Sequence, residues 1–566
     1  MERDLLQTSD ALVQSVKTNS VLFQAVPSRR MLLELDLSHY VVSRDVSINV
    51  WRNHNFEVLL PLITPYLSYA GVRANWRIGS YDDSLSFVDH LESDIELLWL
   101  DVCSHVDKLS FTVWLSWIIS RLESLRQMTN APIVVVTWFS DSTNSVEFKD
   151  CISKISGVYF GDVGEQLRVI DFLSEGDPRV SMSATRIRHA AHTIVARKVA
   201  TSWLMGCLPQ VVKVVAVDLD NTLYDGVVGE DGPDGVQLRQ SHIDLQNALV
   251  RVAERGIVLS IVSKNDVLDV DLLFEQRPDF PLRRDHFTFV EASWISKAES
   301  LVKIVSAANV GLDSVLFIDD NLAEVYDVVT ALPEVKVMYA PTSDGWIAGA
   351  VASYPGIEGF SVLISDLTRK SDLQANVQRK TLLEKHGDFA QYQRELNMAL
   401  KFHVDSPSIS ERISNLSKKT NQFNMALLRM STAEVQSYIR DAKSSVVAVS
   451  LSDRLADSGV IGFVAARIVN DRMYIDEVCI SCRALGRGLE TYIIGLAISS
   501  MSFIDKVQYV SFNYTNGPRN IPALEWLKIF LPCESNLPEG QVTIPLTVIQ
   551  SLTNKCFLEV SVVVGE

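Results

Sequence analysis

The feature that most constrains this chain is the run Val211-Val-Lys-Val-Val-Ala-Val-Asp218-Leu-Asp220-Asn-Thr222. A β-branched, mostly apolar stretch of this kind reads as a buried strand. It ends abruptly in two acids one residue apart, followed by a threonine. Open α/β sheets place their sites just beyond the carboxyl ends of parallel strands, so these side chains stand where chemistry is usually found. Three later elements complete the set. Ser263 follows the apolar stretch 256–262, Lys297 precedes a helical stretch, and Asp319-Asp320 follows the apolar stretch 314–318.

Together these residues predict a magnesium-dependent phosphoryl-handling centre. Phosphoryl transfer needs a nucleophile, a cation and donors for the equatorial oxygens. Asp218 is placed to be the nucleophile. Asp220 is placed to protonate a leaving oxygen and later to activate water. The Asp218 carboxylate, the Asp220 backbone carbonyl and the Asp319 carboxylate, with water, suit a hard octahedral Mg²⁺. Thr222 or Ser263 is a donor to the transferring group, and Lys297 neutralises it while balancing the acid cluster. Asp320 is a ligand or stands just behind the ligands, and Asn321 caps the next helix. Any one of these motifs alone reads equally well as helix capping, but four in order, each at a strand end or a helix start, do not.

At 566 residues the chain exceeds one hydrophobic core, and several domains are expected. With 47% hydrophobic and 21% charged residues it reads as folded and soluble. A formal net charge of -17 and the lack of a Lys/Arg stripe argue against nucleic-acid or anionic-membrane partners. The N-terminal Met1-Glu-Arg-Asp-Leu-Leu-Gln-Thr has no basic stretch leading into an apolar core, and no apolar run reaches the ~20 residues of a membrane span. Seven scattered cysteines, an odd number, fit reduced thiols and a cytoplasmic location better than a disulfide framework. Cys479 and Cys482 form a Cys-x-x-Cys with no second pair to complete a zinc site.

Four segments are expected. Residues 1–205 read as an α/β domain, with apolar stretches at 56–67, 95–98 and 133–137 and helical ones at 113–125 and 184–205. Within it, 73–83 reads as a turn-rich loop in preference to a nucleophilic-serine motif at Ser80. His189 and His192 lie a helical turn apart, suited to an interface, a cap, an anion or a base. Residues 206–377 alternate strands (211–217, 257–262, 286–290, 314–318, 335–339) with helices (242–254, 266–276, 296–308, 322–331). That alternation predicts a parallel sheet covered on both faces. Asp225–Gly235, with four glycines and a proline, predicts a tight flap too short to be a cap domain. Residues 378–411 read as a helical linker. Residues 412–566 read as an α+β domain with antiparallel-looking strands at 446–451, 460–469, 473–480 and 507–512.

The central motifs resemble the haloacid dehalogenase superfamily, whose Asp-x-Asp-x-Thr signature stands at Asp218–Thr222. More narrowly, Asp218–Gly232, Ile261-Val-Ser-Lys-Asn-Asp266, the pair Trp294 and Lys297, and Phe317-Ile-Asp-Asp-Asn321 resemble the FkbH-like family. That family usually carries Trp and Gly where this chain has Tyr224 and Asp225, and Asp225 adds a charge at the mouth of the site. The resemblance implies a Rossmann-like central domain with a small or absent cap, an N-terminal SGNH-hydrolase-like domain and a C-terminal Gcn5-related acetyltransferase-like domain. It implies an enzyme that removes phosphate from 1,3-bisphosphoglycerate and delivers a glyceryl thioester to an acyl carrier protein, in polyketide or related biosynthesis.

Arg483-Ala-Leu-Gly486-Arg-Gly488 resembles the acyl-CoA-binding loop of the acetyltransferases. An anion nest there suits the phosphate of a carrier's phosphopantetheine arm, although glycines also make ordinary turns. Cys482, beside that loop, is the candidate for a covalent thiol relay; direct attack by the carrier thiol would need no enzymatic cysteine. Two other readings remain open: a magnesium-dependent small-molecule phosphatase without carrier transfer, and an acyltransferase using another acyl donor.

Overall fold

The computed structural model describes residues 13–102, 110–167, 185–209, 212–341, 345–360, 369–386, 392, 395–485, 487–517, 519–531, 537–538, 540–553 and 559–565. The chain divides into two compact units, Met1–Val305 with Gly311–Val362, and Ser306–Val310 with Leu363–Glu566.

The first unit holds two parallel sheets. One comprises β1 (Arg44–Arg52), β2 (Val72–Tyr81), β3 (Ile95–Trp99), β4 (Ile133–Thr137) and β5 (Val158–Asp162), in the order β2-β1-β3-β4-β5. The other comprises β6 (Val214–Val217), β7 (Val258–Ser263), β8 (Phe287–Ala292), β9 (Val315–Asp319) and β10 (Lys336–Tyr339), in the order β10-β9-β6-β7-β8. Parallel neighbours need crossovers, and the helices Gln240–Glu254, Val267–Gln276, Lys297–Ala308 and Leu322–Ala331 supply them in the second sheet. Every residue of β6, β7 and β9 is buried, as expected of strands covered on both faces.

The two sheets share one apolar core, which runs from Ile48 and Val50 on β1 through Trp203 and Leu204 to Val215 and Leu259. A half-buried ion cluster joins the same region. Glu358 accepts from the Lys198 ammonium, from Arg255 Nη2 at 3.2 Å and from Ser202 Oγ at 3.0 Å. Lys198 and Ser202 flank the start of a single π-helical turn, Val199–Leu204.

Two expectations for the N-terminal region are corrected. Residues 72–81 form the edge strand β2 rather than a loop, with Ser80 exposed on it. The apolar stretch 56–67 is not strand-like: it leads into the helix Leu60–Tyr69, with Pro61 in its first turn.

The second unit is built on one mixed sheet. Its strands are β11 (Ala399–Val404), β12 (Ser444–Ser452), β13 (Asp457–Val469), β14 (Arg472–Ile480), β15 (Tyr509–Asn513), β16 (Gln541–Pro545) and β17 (Glu559–Val564), in the order β16-β15-β14-β13-β12-β11-β17. The β12-β13-β14 meander is antiparallel, and its second turn has Asn470 at φ 60°. The strand at 507–512 is corrected from antiparallel-looking: β15 runs parallel to β14, because the helix Glu490–Ser499 carries the chain back across the sheet. Strand β11 falls within the segment read as a linker, where alternation of buried Leu400, Phe402 and Val404 was the available signal.

Gly161 on β5 faces the Trp203 ring, and a Cβ built there would lie 2.8, 2.9 and 3.0 Å from three ring carbons. Trp203 is buried and has nowhere to move. Gly161→Ala should therefore cost about 1–3 kcal/mol by overpacking, seen as a lower thermal midpoint in calorimetry. An unchanged midpoint would mean that the π-helical turn yields.

Candidate active site

The residues singled out in the second sheet converge because β6, β7 and β9 are hydrogen-bonded neighbours running the same way. Asp218 leaves β6 with its N–H donated to Ile318 O on β9 at 2.9 Å. Lys297 reaches in from the first position of its helix. Its ammonium donates to Asp218 Oδ1 at 2.8 Å and to Asp319 Oδ2 at 2.6 Å, with all three residues buried. Thr222 Oγ1 lies 3.5 Å from Asp218 Oδ2 and 3.2 Å from Asp320 Oδ1, and it accepts from Asp320 N–H at 3.1 Å. Asp319 Oδ1 accepts from Asn321 N–H at 2.8 Å, and Asn321 caps the next helix through Ala323 N–H at 3.0 Å. Ser263 is buried at the end of β7 and accepts from Asn265 Nδ2 at 3.0 Å.

Asp220 is turned differently. Its Oδ1 accepts from the Tyr224 hydroxyl at 2.7 Å and from Val228 N–H at 3.0 Å, and its Oδ2 accepts from Asn265 Nδ2 at 2.8 Å. Asn265 thus touches both Ser263 and Asp220; no site role was expected of it, and Tyr224 was marked only as a departure from the resembled family. The signal available was an amide two residues past a strand-end serine.

Val228 opens the flap, a short helix Val228–Gly235 kinked at Gly232, where φ is 68°. Asp225 and Gln237 close its neck with two backbone hydrogen bonds of 2.8 and 2.9 Å. Arg277 holds its far side through Pro233 O at 3.0 Å and Val236 O at 2.7 Å. The charge of Asp225 is matched by an ion pair with Arg239, so this acid closes the flap's neck rather than charging the mouth. Lys264 after β7 pairs with Glu324 on the helix after β9, joining the loops on either side of β6.

The donor set fits a hard divalent cation. One ligand oxygen each from Asp218, Asp319 and Asp320 lie within 4.8 Å of one another, and oxygen-only sites of this kind suit Mg²⁺. Three carboxylates share the one Lys297 ammonium, and the excess negative charge is visible in their protonation. Burial pushes the Asp218 and Asp319 carboxyls above the usual carboxylate range despite Lys297. Burial and the neighbouring Asp218 push Asp320 up to about 6. Lys297, which burial alone would lower, is held above its ordinary value by Asp218 and Asp319. The Asp220 carboxylate stands outside this cluster, so a metal role for Asp220 would fall to its carbonyl alone.

The C-terminal loop is placed less simply. Gly486 lies outside the described residues; Gly488 has φ 63°, and Arg483 is buried. Ala484 N–H donates to Ser481 O at 2.9 Å and Arg487 N–H to Ala484 O at 3.3 Å, so two N–H groups expected to face an anion are already used. The Arg487 side chain turns inward to Asp372 and Asp453, at 3.3 and 3.4 Å. Strands β14 and β15 pair only from Arg472 to Ile475, and beyond that the wedge between them is filled by the chain itself. Met425 N–H donates to Val478 O at 3.0 Å and Ile480 N–H to Phe423 O at 2.9 Å. Glu477, raised to about 7 by burial, accepts from the N–H groups of Met425, Ala426 and Leu428 at 2.9, 3.0 and 2.7 Å. Cys482 is half-buried, and Cys479 is buried with its thiol pushed up to about 12.

In the N-terminal sheet, a polar cluster that was not read from the sequence stands at the ends of β1 and β3. Arg186 forms a two-pronged ion pair with Asp101 at 2.7 and 3.0 Å, and His54 contacts Thr185 at 3.2 Å. Burial and Arg186 push His54 down to about 3. His192 is buried on Ile187 O at 3.0 Å, with the His189 ring 5.0 Å away.

Comparison with solved structures returns low-identity likenesses. The N-terminal part of a Bacteroides fragilis protein containing a phosphatase domain, complexed with Mg, is 16% identical over 58% of this chain and 97% of its own, with a TM-score of 0.45. A mutant spermidine N-acetyltransferase from Vibrio cholerae is 14% identical over 26% of this chain and 95% of its own, with a TM-score of 0.20. Tetrahymena Gcn5 is 14% identical over 25% of this chain and 84% of its own, with a TM-score of 0.16. No protein-family model matches the chain, and no curated protein matches it by sequence.

Lys297→Met removes the one ammonium from the acid cluster. In chelator it should lower stability by roughly 3 kcal/mol, the cost of orphaning a buried ion pair, and millimolar Mg²⁺ should restore part of it. Equal melting of variant and wild type in both conditions would remove Lys297 from this role.

The raised Asp320 sets the sign of a pH effect. Its folded value of about 6 exceeds the ordinary 3.8. The stability it contributes is therefore full below the ordinary value and is lost as pH rises through the folded one. Metal-free protein should lose stability across that window, and Asp320→Asn should flatten the slope. Identical slopes for both in chelator would contradict the placement.

Proposed function

We propose that the chain is a Mg²⁺-dependent phosphatase of the haloacid dehalogenase type that removes phosphate from 1,3-bisphosphoglycerate and delivers the glyceryl unit as a thioester to an acyl carrier protein. The observation that carries the phosphoryl half is the Lys297 ammonium held between Asp218 and Asp319, with Thr222 and Asp320 beside them. Asp218, Asp319 and Asp320, with the Asp220 carbonyl, would hold Mg²⁺, which supplies positive charge for the phosphoryl oxygens.

The donor carries two phosphates of different chemistry. Attack of Asp218 on the phosphorus of the C3 ester breaks the P–O bond to the C3 oxygen and leaves the acyl phosphate intact. Attack at the C1 phosphate would release 3-phosphoglycerate and destroy the activated acyl bond. The reading therefore gives Asp218 the ester. Asp220 gives a proton to the leaving C3 oxygen and then takes one from the water that frees phosphate from Asp218. Lys297, Ser263 and Thr222 hold the transferring oxygens. At C1 a thiolate attacks the carbonyl carbon, the C–O bond breaks and inorganic phosphate departs. The thiol is the carrier's phosphopantetheine or Cys482 as a relay, with Arg483, Gly486 and Gly488 as candidates to receive the arm. The N-terminal sheet, by its strand order, is compatible with an SGNH-like domain and is given no catalytic role.

A second reading, a plain small-molecule phosphatase, draws support from the C-terminal unit. The filled wedge beside β14 and the spent N–H groups of its glycine loop leave less room for an arm.

Intact-mass measurement separates these readings. A phosphopantetheinylated carrier protein incubated with enzyme, Mg²⁺ and enzymatically generated 1,3-bisphosphoglycerate should gain about 88 Da, one glyceryl group replacing the thiol hydrogen. Asp218→Asn should give about 168 Da instead, the phosphoglyceryl thioester, if transfer does not depend on Asp218. Phosphate release with no carrier gain supports the simple phosphatase. Undiminished 88-Da product in Asp218→Asn would show that Asp218 is not the nucleophile.

A further inference from the structure

The sheet edge that carries the acid cluster has a rim of four exposed apolar side chains, in the segments that follow β7, β8 and β9. Trp294, two residues beyond β8, is 78% exposed, and Leu268, in the first turn of the helix after β7, is 76% exposed. Leu272, one turn further along that helix, and Leu322, three residues beyond β9, are also exposed. They follow the carboxyl ends of β7, β8 and β9, of which β7 and β9 flank β6 and β8 lies one strand further out. Trp294 is three residues before Lys297, and Ser293 N–H donates to Ser263 O at 3.0 Å, which sets the Trp294 loop beside the β7 loop.

We infer that this rim is the docking surface for the protein that accepts the acyl group, an inference that rests on the carrier-transfer reading. Its extent argues for a macromolecule. From the β9 loop to the β8 loop is three strand spacings, about 14 Å, more than a three-carbon acyl phosphate at Asp218 can cover. Its area argues for a transient one. Trp294 and Leu268 together offer on the order of 300 Å², whereas a lasting complex or a stable second copy of this chain needs about 800 Å² a side. Its charge argues for an apolar contact, since Lys264 and Lys303 beside the rim are paired with Glu324 and Glu291. An exposed indole in such a patch is the side chain most often found at the energetic centre of an interface. A partner seated on Trp294 and Leu268 has its tethered thiol at the mouth that leads to Asp218.

The test measures glyceryl transfer against carrier concentration, and phosphate release from 1,3-bisphosphoglycerate without carrier, for full-length wild type, Trp294→Ala and Leu268→Ser. Each variant should raise the half-saturating carrier concentration tenfold or more, with carrier-free phosphate release within about twofold of wild type. Unchanged carrier dependence in both variants overturns the docking surface while the transfer reading stands. Loss of carrier-free phosphate release in Trp294→Ala places the indole in the small-substrate site instead. Wild type that releases phosphate but never loads carrier fails the transfer reading, and the surface with it. Sedimentation closes the remaining case: self-association of wild type that Trp294→Ala abolishes would give the patch to a second copy.

Discussion

A buried ammonium among buried carboxylates organises the acid cluster at the end of β6. Without Lys297, Asp218 and Asp319 would face each other across adjacent strands in a medium that stabilises neither charge. Burial raises the carboxyls of Asp218, Asp319 and Asp320, and one cation does not offset it for three acids. The apolar β-branched strands and the unbalanced acids are therefore one design. The strands exclude water, exclusion makes the charge costly, and the cost favours the arrival of a cation.

Asp220 shows the same economy in a different way. Its three donors come from three places: Tyr224 on its own turn, Val228 at the start of the flap, and Asn265 from the neighbouring strand's loop. The side chain thus couples the flap to the site floor. The flap itself is a short kinked helix of 8 residues, about two turns.

Much of this centre was legible in the sequence because each side chain sits at the end of a strong local pattern. Asp218, Ser263 and Asp319 each stand at the end of a wholly buried strand, and parallel pairing alone brings such ends together. The parts that were not legible depend on contacts between distant turns. An amide two residues past Ser263 does not by itself reveal that Asn265 also touches Asp220, and nothing local marks Arg239 as the partner of Asp225. The N-terminal sheet was harder for a related reason. Strand β2 lies on an edge, alternates buried and exposed residues, and carries Arg, Asn, Gly and Ser, so its composition imitates a turn. The direction of β15 was misread because a parallel strand and an antiparallel one have the same alternation, and only the crossover helix distinguishes them.

The C-terminal loop teaches the limit of motif reasoning. Arg-x-x-Gly-x-Gly at a helix start describes where N–H groups are, but an anion needs N–H groups that are unspent. Here Ala484 and Arg487 use theirs within the loop, and the Arg487 side chain is drawn inward by Asp372 and Asp453. The wedge beside β14, where an extended arm would find strand-edge hydrogen bonds, already has them satisfied by Phe423 and Met425 and locked by Glu477. Displacing that segment would expose three backbone N–H groups and a buried carboxylate at once, a cost well above that of an ordinary loop motion. A ligand at this unit must therefore approach the loop from outside the wedge.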